Sequence, residues 1–453
     1  MSSTHTGYSF FVKTNRAGVS NSGNVSIAGS FLPAVDATFD LGSAALQWRN
    51  IFMSGTLNGL NIFTTGTGGA AGGAATLLVG PSNTGCGQPT LPSTTTGLSN
   101  CVYGAGAGDA ITTGNSNTLM GRNAGGALTT GSAVTAVGNA ALAACTASSI
   151  TAVGNAAGMA HTSGTGCTYV GTSAGASNLT GVNITAIGAS ALTLCTVSSN
   201  TAVGALAGAA HTTASGCIYV GTSAGAANQT ANSVTAVGTN ALTLLTAGTG
   251  TVGIGASAGA AHTTASGCTY VGASAGAANQ TSNNVTAVGA SSLILSTGVG
   301  NTAVGASSGA AITSGTQCTC IGSFAGSTIS TNGQLTAVGH TALNVATGAS
   351  NTAVGQAAGI TITSGANNTF IGQGADGVAT SSGQIAIGTG AVSTAANSIT
   401  LGGLTATTRI TTTAGATNGT GAAVLANVEG YLPIYIDDQA GNRVQRKIAF
   451  FLP

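Results

Sequence analysis

Charge is what this sequence has least of. From Asn123 to Ala375, 253 consecutive residues, there is no Asp, Glu, Lys or Arg. Apart from a few His, general acid–base catalysis has nothing to work with there, and no enzyme is expected. Over all 453 residues only 15 are charged, with a net of +1, so neither nucleic acid nor an anionic membrane surface is implied as a partner. No stretch approaches the roughly 20 apolar residues needed to cross a bilayer, which speaks against membrane insertion. The N-terminus lacks the order of a signal peptide as well, because Lys13 and Arg16 follow the short run Tyr8-Ser9-Phe10-Phe11-Val12. Synthesis in the cytosol, with delivery by some other vehicle, is the expectation.

Aromatics are only 4% of the chain, whereas glycine occurs 74 times among many Ala, Thr, Ser and Asn. Such a composition ordinarily points to disorder, since each small side chain buries little area. Strict periodicity argues the opposite. Sixteen glycines preceded by Val or Ile recur every 16 or 17 residues, from Gly138 through Gly204, Gly221 and Gly238 to Gly388. Each closes a short segment such as Thr201-Ala202-Val203-Gly204. A fixed short period marks a solenoid, in which each coil covers the next and none is stable alone. The fold expected is therefore all-β: a parallel β-solenoid, or β-roll, of 16–17-residue coils. With two short strands and two turns per coil, sixteen coils at about 4.8 Å would make a rod about 75–80 Å long.

Position by position, the residue before the glycine is always Val or Ile, and the residue three before it is Thr in thirteen units, the exceptions being Ile218, Val252 and Ile385. These two positions share one face of the strand. The position between them follows a three-coil rhythm of Ala, Ala and a larger residue: Tyr169, Tyr219, Tyr270, Cys320 and Phe370. Four residues after the glycine the rhythm is Gly, Gly, Leu, as in Gly208, Gly225 and Leu242. Large side chains in one coil are expected to fill space left by small ones in the next. A strand with one face in water should alternate with polar residues, so two faces free of charge imply a second covering surface, for which a sister chain is the natural candidate. The Thr, sharing a face with the ever-present Val or Ile, are expected to point inward.

Outside the repeat, five segments are expected: an N-terminal arm at 1–22, a β module at 23–62 with the single Trp48, a Gly, Thr and Pro-rich connector at 63–97, the solenoid at 98–412 and a C-terminal capping or trimerising segment at 413–453. In the last, Tyr431 to Ile436 and Lys447 to Phe451 read as paired strands around a turn at Asp437-Asp438-Gln439-Ala440-Gly441-Asn442.

The stretch Leu41-Gly42-Ser43, then Trp48-Arg49-Asn50-Ile51-Phe52 and Ser54-Gly55-Thr56-Leu57, resembles a module of bacteriophage and large-virus fibre shafts. Repeats such as Asn351-Thr352-Ala353-Val354-Gly355-Gln356-Ala357-Ala358-Gly359 resemble the head repeats of trimeric autotransporter adhesins, and still more the related repeats of phage and giant-virus fibres. The resemblance implies left-handed parallel β-rolls set side by side as a parallel homotrimer. It further implies a structural virion fibre or spike, made in the host cytoplasm and carried on the virion surface. Its expected partners are capsid or fibre-base proteins and host surface glycans, with host attachment as its work. An adhesin head, another solenoid binding module, or an ice-binding face of ranked Thr are the alternatives, the last disfavoured if the Thr point inward.

Several residues invite chemistry and are weighed against packing. His161, His211 and His262 recur at the solenoid's three-coil period and would stack imidazoles into a metal ring in a trimer, but Ile312 and Ile362 replace them further along. A packing or surface role is expected instead. Cys167, Cys217, Cys268 and Cys318 stand in one register three coils apart, about 14 Å, beyond disulfide reach, and are read as buried small hydrophobes. Cys318 and Cys320 form a lone pair without a zinc partner motif. No catalytic, cofactor or metal residue is assigned. Asn-x-Ser/Thr sequons occur at Asn24, Asn178, Asn183, Asn228, Asn279, Asn284, Asn367 and Asn418, and chance accounts for most of them in so Asn- and Thr-rich a chain.

Overall fold

The computed structural model describes residues 83–87, 90, 96–328, 331 and 333–402, and the backbone of the strands Thr76–Val79, Leu432–Asp437 and Arg443–Ile448. The N-terminal arm, the module around Trp48 and the small-residue stretch at 414–427 lie outside the described residues. The fold is a parallel β-solenoid with coils of about 17 residues, and no helix occurs among the described residues.

Twenty strands, from Thr84–Gly87 to Ile399–Leu401, stack in chain order, each parallel to the one before. Equivalent residues lie directly above one another: Thr201 pairs Ile218, Ala202 pairs Tyr219, and Val203 pairs Val220. The ladder therefore starts one coil ahead of Cys101–Tyr103, within residues that read as connector, and Thr76–Val79 runs antiparallel along its first strand. The signal was present: Gly87 stands 17 residues before Gly104, with Cys86 where Val usually sits. At the other end of the chain, Leu432–Asp437 and Arg443–Ile448 form a hairpin as expected, with Leu432 opposite Ile448 and Asp437 opposite Arg443, so that the second strand begins four residues before Lys447 and Asp437 belongs to the first strand rather than to the turn.

Each repeat coil holds one three-residue strand, not two. The rest of the coil is turn, because a residue two positions after the ladder glycine takes positive φ, as at Leu206 (60°), Ser223 (56°) and Asn240 (57°). These turns still bond to the next coil: Gly208 N donates to Ala224 O and Ala210 N to Ala226 O, both at 2.9 Å. The backbone is thereby satisfied around the coil without a second sheet.

The ladder glycine itself is dictated by stacking. Gly204 has φ 136°, and a Cβ on it would fall 2.6 Å from the Gly221 carbonyl carbon in the coil above. No L side chain fits between backbones that close.

Inside, the middle residue of every strand from Val102 to Ala386 is buried, and Tyr169, Tyr219, Tyr270 and Phe370 are the largest side chains of the core. They form the row expected from the three-coil rhythm, with buried Cys320 in its place between Tyr270 and Phe370. The Gly-Gly-Leu rhythm is their complement. A Cβ on Gly208 would lie 2.7 Å from Tyr219 Cδ2, and one on Gly225 would lie 2.2 Å from Cε1. In the coil above, where Ala236 replaces the ring, Leu242 fills the space. One Tyr and one Leu in every three coils, with Gly making room beside them, keep the narrow interior dense.

Buried Asn side chains add a polar ladder at the position before the strand. Asn117 Nδ2 donates to Gly131 O (2.9 Å) and its Oδ1 accepts from Val134 N (2.9 Å) in the next coil. Asn351 repeats this with Gly365 O (2.8 Å) and Asn368 N (2.9 Å). Each amide acts as a piece of backbone stitching two coils.

Candidate functional site: an outward ladder and three buried clusters

The Thr and Val/Ile positions of the strand do share a face, but it faces outward. The burial pattern is partly exposed, buried, partly exposed in strand after strand, with the middle residue alone inside. This overturns the expectation that the Thr point inward: the two-residue alternation of a strand leaves room in so thin a coil for only its middle side chain. The argument that set aside an ordered Thr face falls with it.

The outward face is a regular array. Thr and Val/Ile columns stand about 7 Å apart along the strand and repeat about every 4.8 Å from coil to coil. Val203, Ile254, Ile321 and Ile371 are 37–40% exposed despite neighbours above and below. Toward the first coils Tyr103 and Met120 occupy the same column and are more exposed still. No charged side chain interrupts the strands from Thr135–Val137 to Ile385–Ile387. A continuous uncharged apolar ladder of this length is uncommon on a monomer's surface.

The three recurrent histidines lie in the core, not on the surface, each fully buried. Each joins a Tyr of the next coil. His161, His211 and His262 place Nδ1 at 3.1, 3.0 and 3.0 Å from the hydroxyls of Tyr169, Tyr219 and Tyr270. Their Nε2 atoms lie 2.8, 2.7 and 2.9 Å from the carbonyls of Gly164, Ala214 and Ala265. A carbonyl only accepts, so Nε2 carries the proton and Nδ1 accepts from the Tyr hydroxyl. The Tyr oxygen in turn accepts from the amides of Asn178, Asn228 and Asn279. A thiol completes each cluster, Cys167, Cys217 and Cys268 donating Sγ–H to the carbonyls of Gly181, Ala231 and Ser282 at 3.2 Å. Burial lowers all three His pKa values, only partly offset by the carbonyl bond, and raises those of the three Tyr.

Sequence reasoning found the His and Tyr rows separately but not their union. The signal was available: where the Tyr becomes Cys320 or Phe370, the His becomes Ile312 or Ile362, and all four replacements are buried. Polar and apolar versions of the cluster are exchanged as units.

Cys318 and Cys320 are also buried, and burial pushes the Cys320 thiol up to about 12. Among the described residues no three His, Cys, Asp or Glu side chains stand together as metal ligands. Of the sequons, Asn178, Asn228 and Asn279 are buried in the clusters, whereas Asn183, Asn284 and Asn367 sit on exposed turns five residues before a ladder glycine. No protein-family model matches the chain, and no curated protein matches it.

Proposed function

We propose that the chain is a structural fibre or spike subunit of a virus particle, working by shape and surface rather than by catalysis. Its solenoids associate side by side as a parallel homotrimer and project from the particle, where they contact host surface glycans. One observation carries the reading: the uncharged ladder of Val and Ile that runs outward along the whole solenoid. Burying such a ladder against sister chains removes apolar surface from water at about 25 cal/mol per Å², repeated in every coil. Register between chains is then favoured by the shared rise per coil, and a quasi-one-dimensional stack of coils suits a projecting rod. The resemblance of the repeats to those of viral fibres supplies the setting. Light scattering on the full chain is expected to give about three times its 42.5 kDa mass, and antibodies against the repeat are expected to decorate intact particles. A stable soluble monomer, or labelling confined to infected-cell cytoplasm, overturns it.

A second reading has one observation in its favour. Outward Thr hydroxyls in a regular, uncharged array are suited to ordering water, and a monomer with thermal hysteresis activity would identify the same face as ice-binding.

A further inference from the structure

We infer that the three His–Tyr–Asn clusters are acid-operated latches, holding consecutive coils of the middle solenoid together at neutral pH and releasing them when the imidazole is protonated. Each latch crosses a coil boundary: His211 belongs to the coil of Gly204, whereas Tyr219 and Asn228 belong to the coil of Gly221.

The proton count makes the latch one-directional. In the neutral form, hydrogens run from the Asn amide to the Tyr oxygen, from the Tyr hydroxyl to His Nδ1, and from His Nε2 to a backbone carbonyl, so every atom is satisfied. An added proton on Nδ1 meets a hydroxyl that already receives the Asn amide. The Tyr oxygen then faces two donors and its own hydrogen loses its acceptor. The buried imidazolium also finds no counter-charge. The titratable partner of each His is the Tyr it bonds, and the groups that interact with those Tyr are Cys167 and Cys195 for Tyr169, Cys217 and Cys195 for Tyr219, and Cys268 for Tyr270. These are thiols and phenols, uncharged in acid, and no Asp or Glu occurs between Asn123 and Ala375. A buried charge without a partner is among the costliest things a core can hold.

The sign of the pH effect follows. Burial lowers the His pKa in the closed coil, while in an opened coil it returns to about 6.5. The open form binds more protons between those two values. Opening is therefore suppressed above about pH 6.5 and grows as pH falls below it, by at most tenfold per pH unit for each cluster exposed.

The chain contains its own control, since the clusters at Ile312 with Cys320 and at Ile362 with Phe370 have nothing to protonate on the acid side. Backbone hydrogen exchange of the full chain at pH 7.5 and pH 5.0, corrected for intrinsic rates, is the test. Protection is expected to fall severalfold in segments 158–182, 208–232 and 259–283, and far less in segment 302–328, which carries no His, Asp or Glu. A uniform change, or none, overturns the inference. A variant carrying His161→Ile, His211→Ile and His262→Ile together with Tyr169→Phe, Tyr219→Phe and Tyr270→Phe takes the Ile–Phe pairing that the chain itself uses at Ile362 and Phe370. It is expected to lose the acid-dependent drop in melting temperature; an equal drop in variant and wild type overturns the inference, and if the variant fails to fold the exchange experiment decides alone.

Discussion

Gly225 holds its place because of Tyr219: a Cβ on Gly225 would lie 2.2 Å from the ring's Cε1, and the glycine already has φ 56°. The ring occupies the volume that a side chain on the glycine would need. Gly225→Ala is thus an overpacking change worth about 1–3 kcal/mol, with left-handed backbone strain of about 1 kcal/mol added. Tyr219→Ala leaves a cavity and deprives His211 Nδ1 of its donor, and is expected to cost about 3–5 kcal/mol. The two are predicted to be strongly coupled. In the Tyr219→Ala background, Gly225→Ala should cost only its backbone strain, leaving an interaction energy of about 1 kcal/mol or more in a denaturant double-mutant cycle. Additive costs would place the ring elsewhere.

Thr251 offers the opposite experiment. Its Oγ1 is fully buried without a hydrogen-bond partner, in a column where the coils before and after carry Val234 and Cys268. An unmade buried hydrogen bond costs about 1–3 kcal/mol, and Val preserves the shape of Thr. Thr251→Val is expected to stabilise the chain, visible as a higher melting temperature. A fall would mean that the hydroxyl is bonded.

Thiol labelling tests the core directly. Seven of the nine cysteines are buried, Cys101 is exposed and Cys86 is partly exposed. Burial also holds the Cys145 thiol up at about 11 and Cys320 at about 12, far from the reactive thiolate at neutral pH. In native protein a thiol reagent is expected to modify Cys101 and Cys86 quickly and the other seven only after denaturation. Rapid labelling of Cys217 or Cys268 would contradict the packing of the clusters.

The fold was legible because its determinants are local and periodic. The ladder glycines, the Tyr row and its Gly-Gly-Leu complement all repeat at fixed spacing, and stacking turns spacing into contact. Three things were not legible. The inward or outward sense of Thr201 and Val203 depends on how wide the coil is, and a two-residue alternation alone cannot tell inside from outside when both faces lack charge. The second strand expected in each coil is absent because positive φ at residues such as Leu206 and Ser223 breaks the extended chain, and Leu gives no warning of that conformation. The His–Tyr–Asn union was missed for a different reason. His211 and Tyr219 are eight residues apart and meet only across a coil boundary, so the pattern shows itself when columns are compared for joint replacement, not when either is read alone.

The outward ladder carries the last prediction. If it is buried between sister chains, a charge placed in its middle must be desolvated without a partner, because the surrounding columns supply only Thr, Val and Ile. Val203→Glu with Ile254→Glu is expected to convert an assembly of about three chains into monomers by light scattering. The coils themselves should stay folded, since both positions are already 37% and 39% exposed in the single chain. Circular dichroism unchanged from wild type would establish that folding is intact. Thr201→Val, which keeps the face apolar and removes a hydroxyl, should leave association unchanged; under the water-ordering reading this substitution instead weakens activity while the charge pair leaves the mass as it was. Assembly that survives both Glu substitutions would mean that this ladder is not where the chains meet.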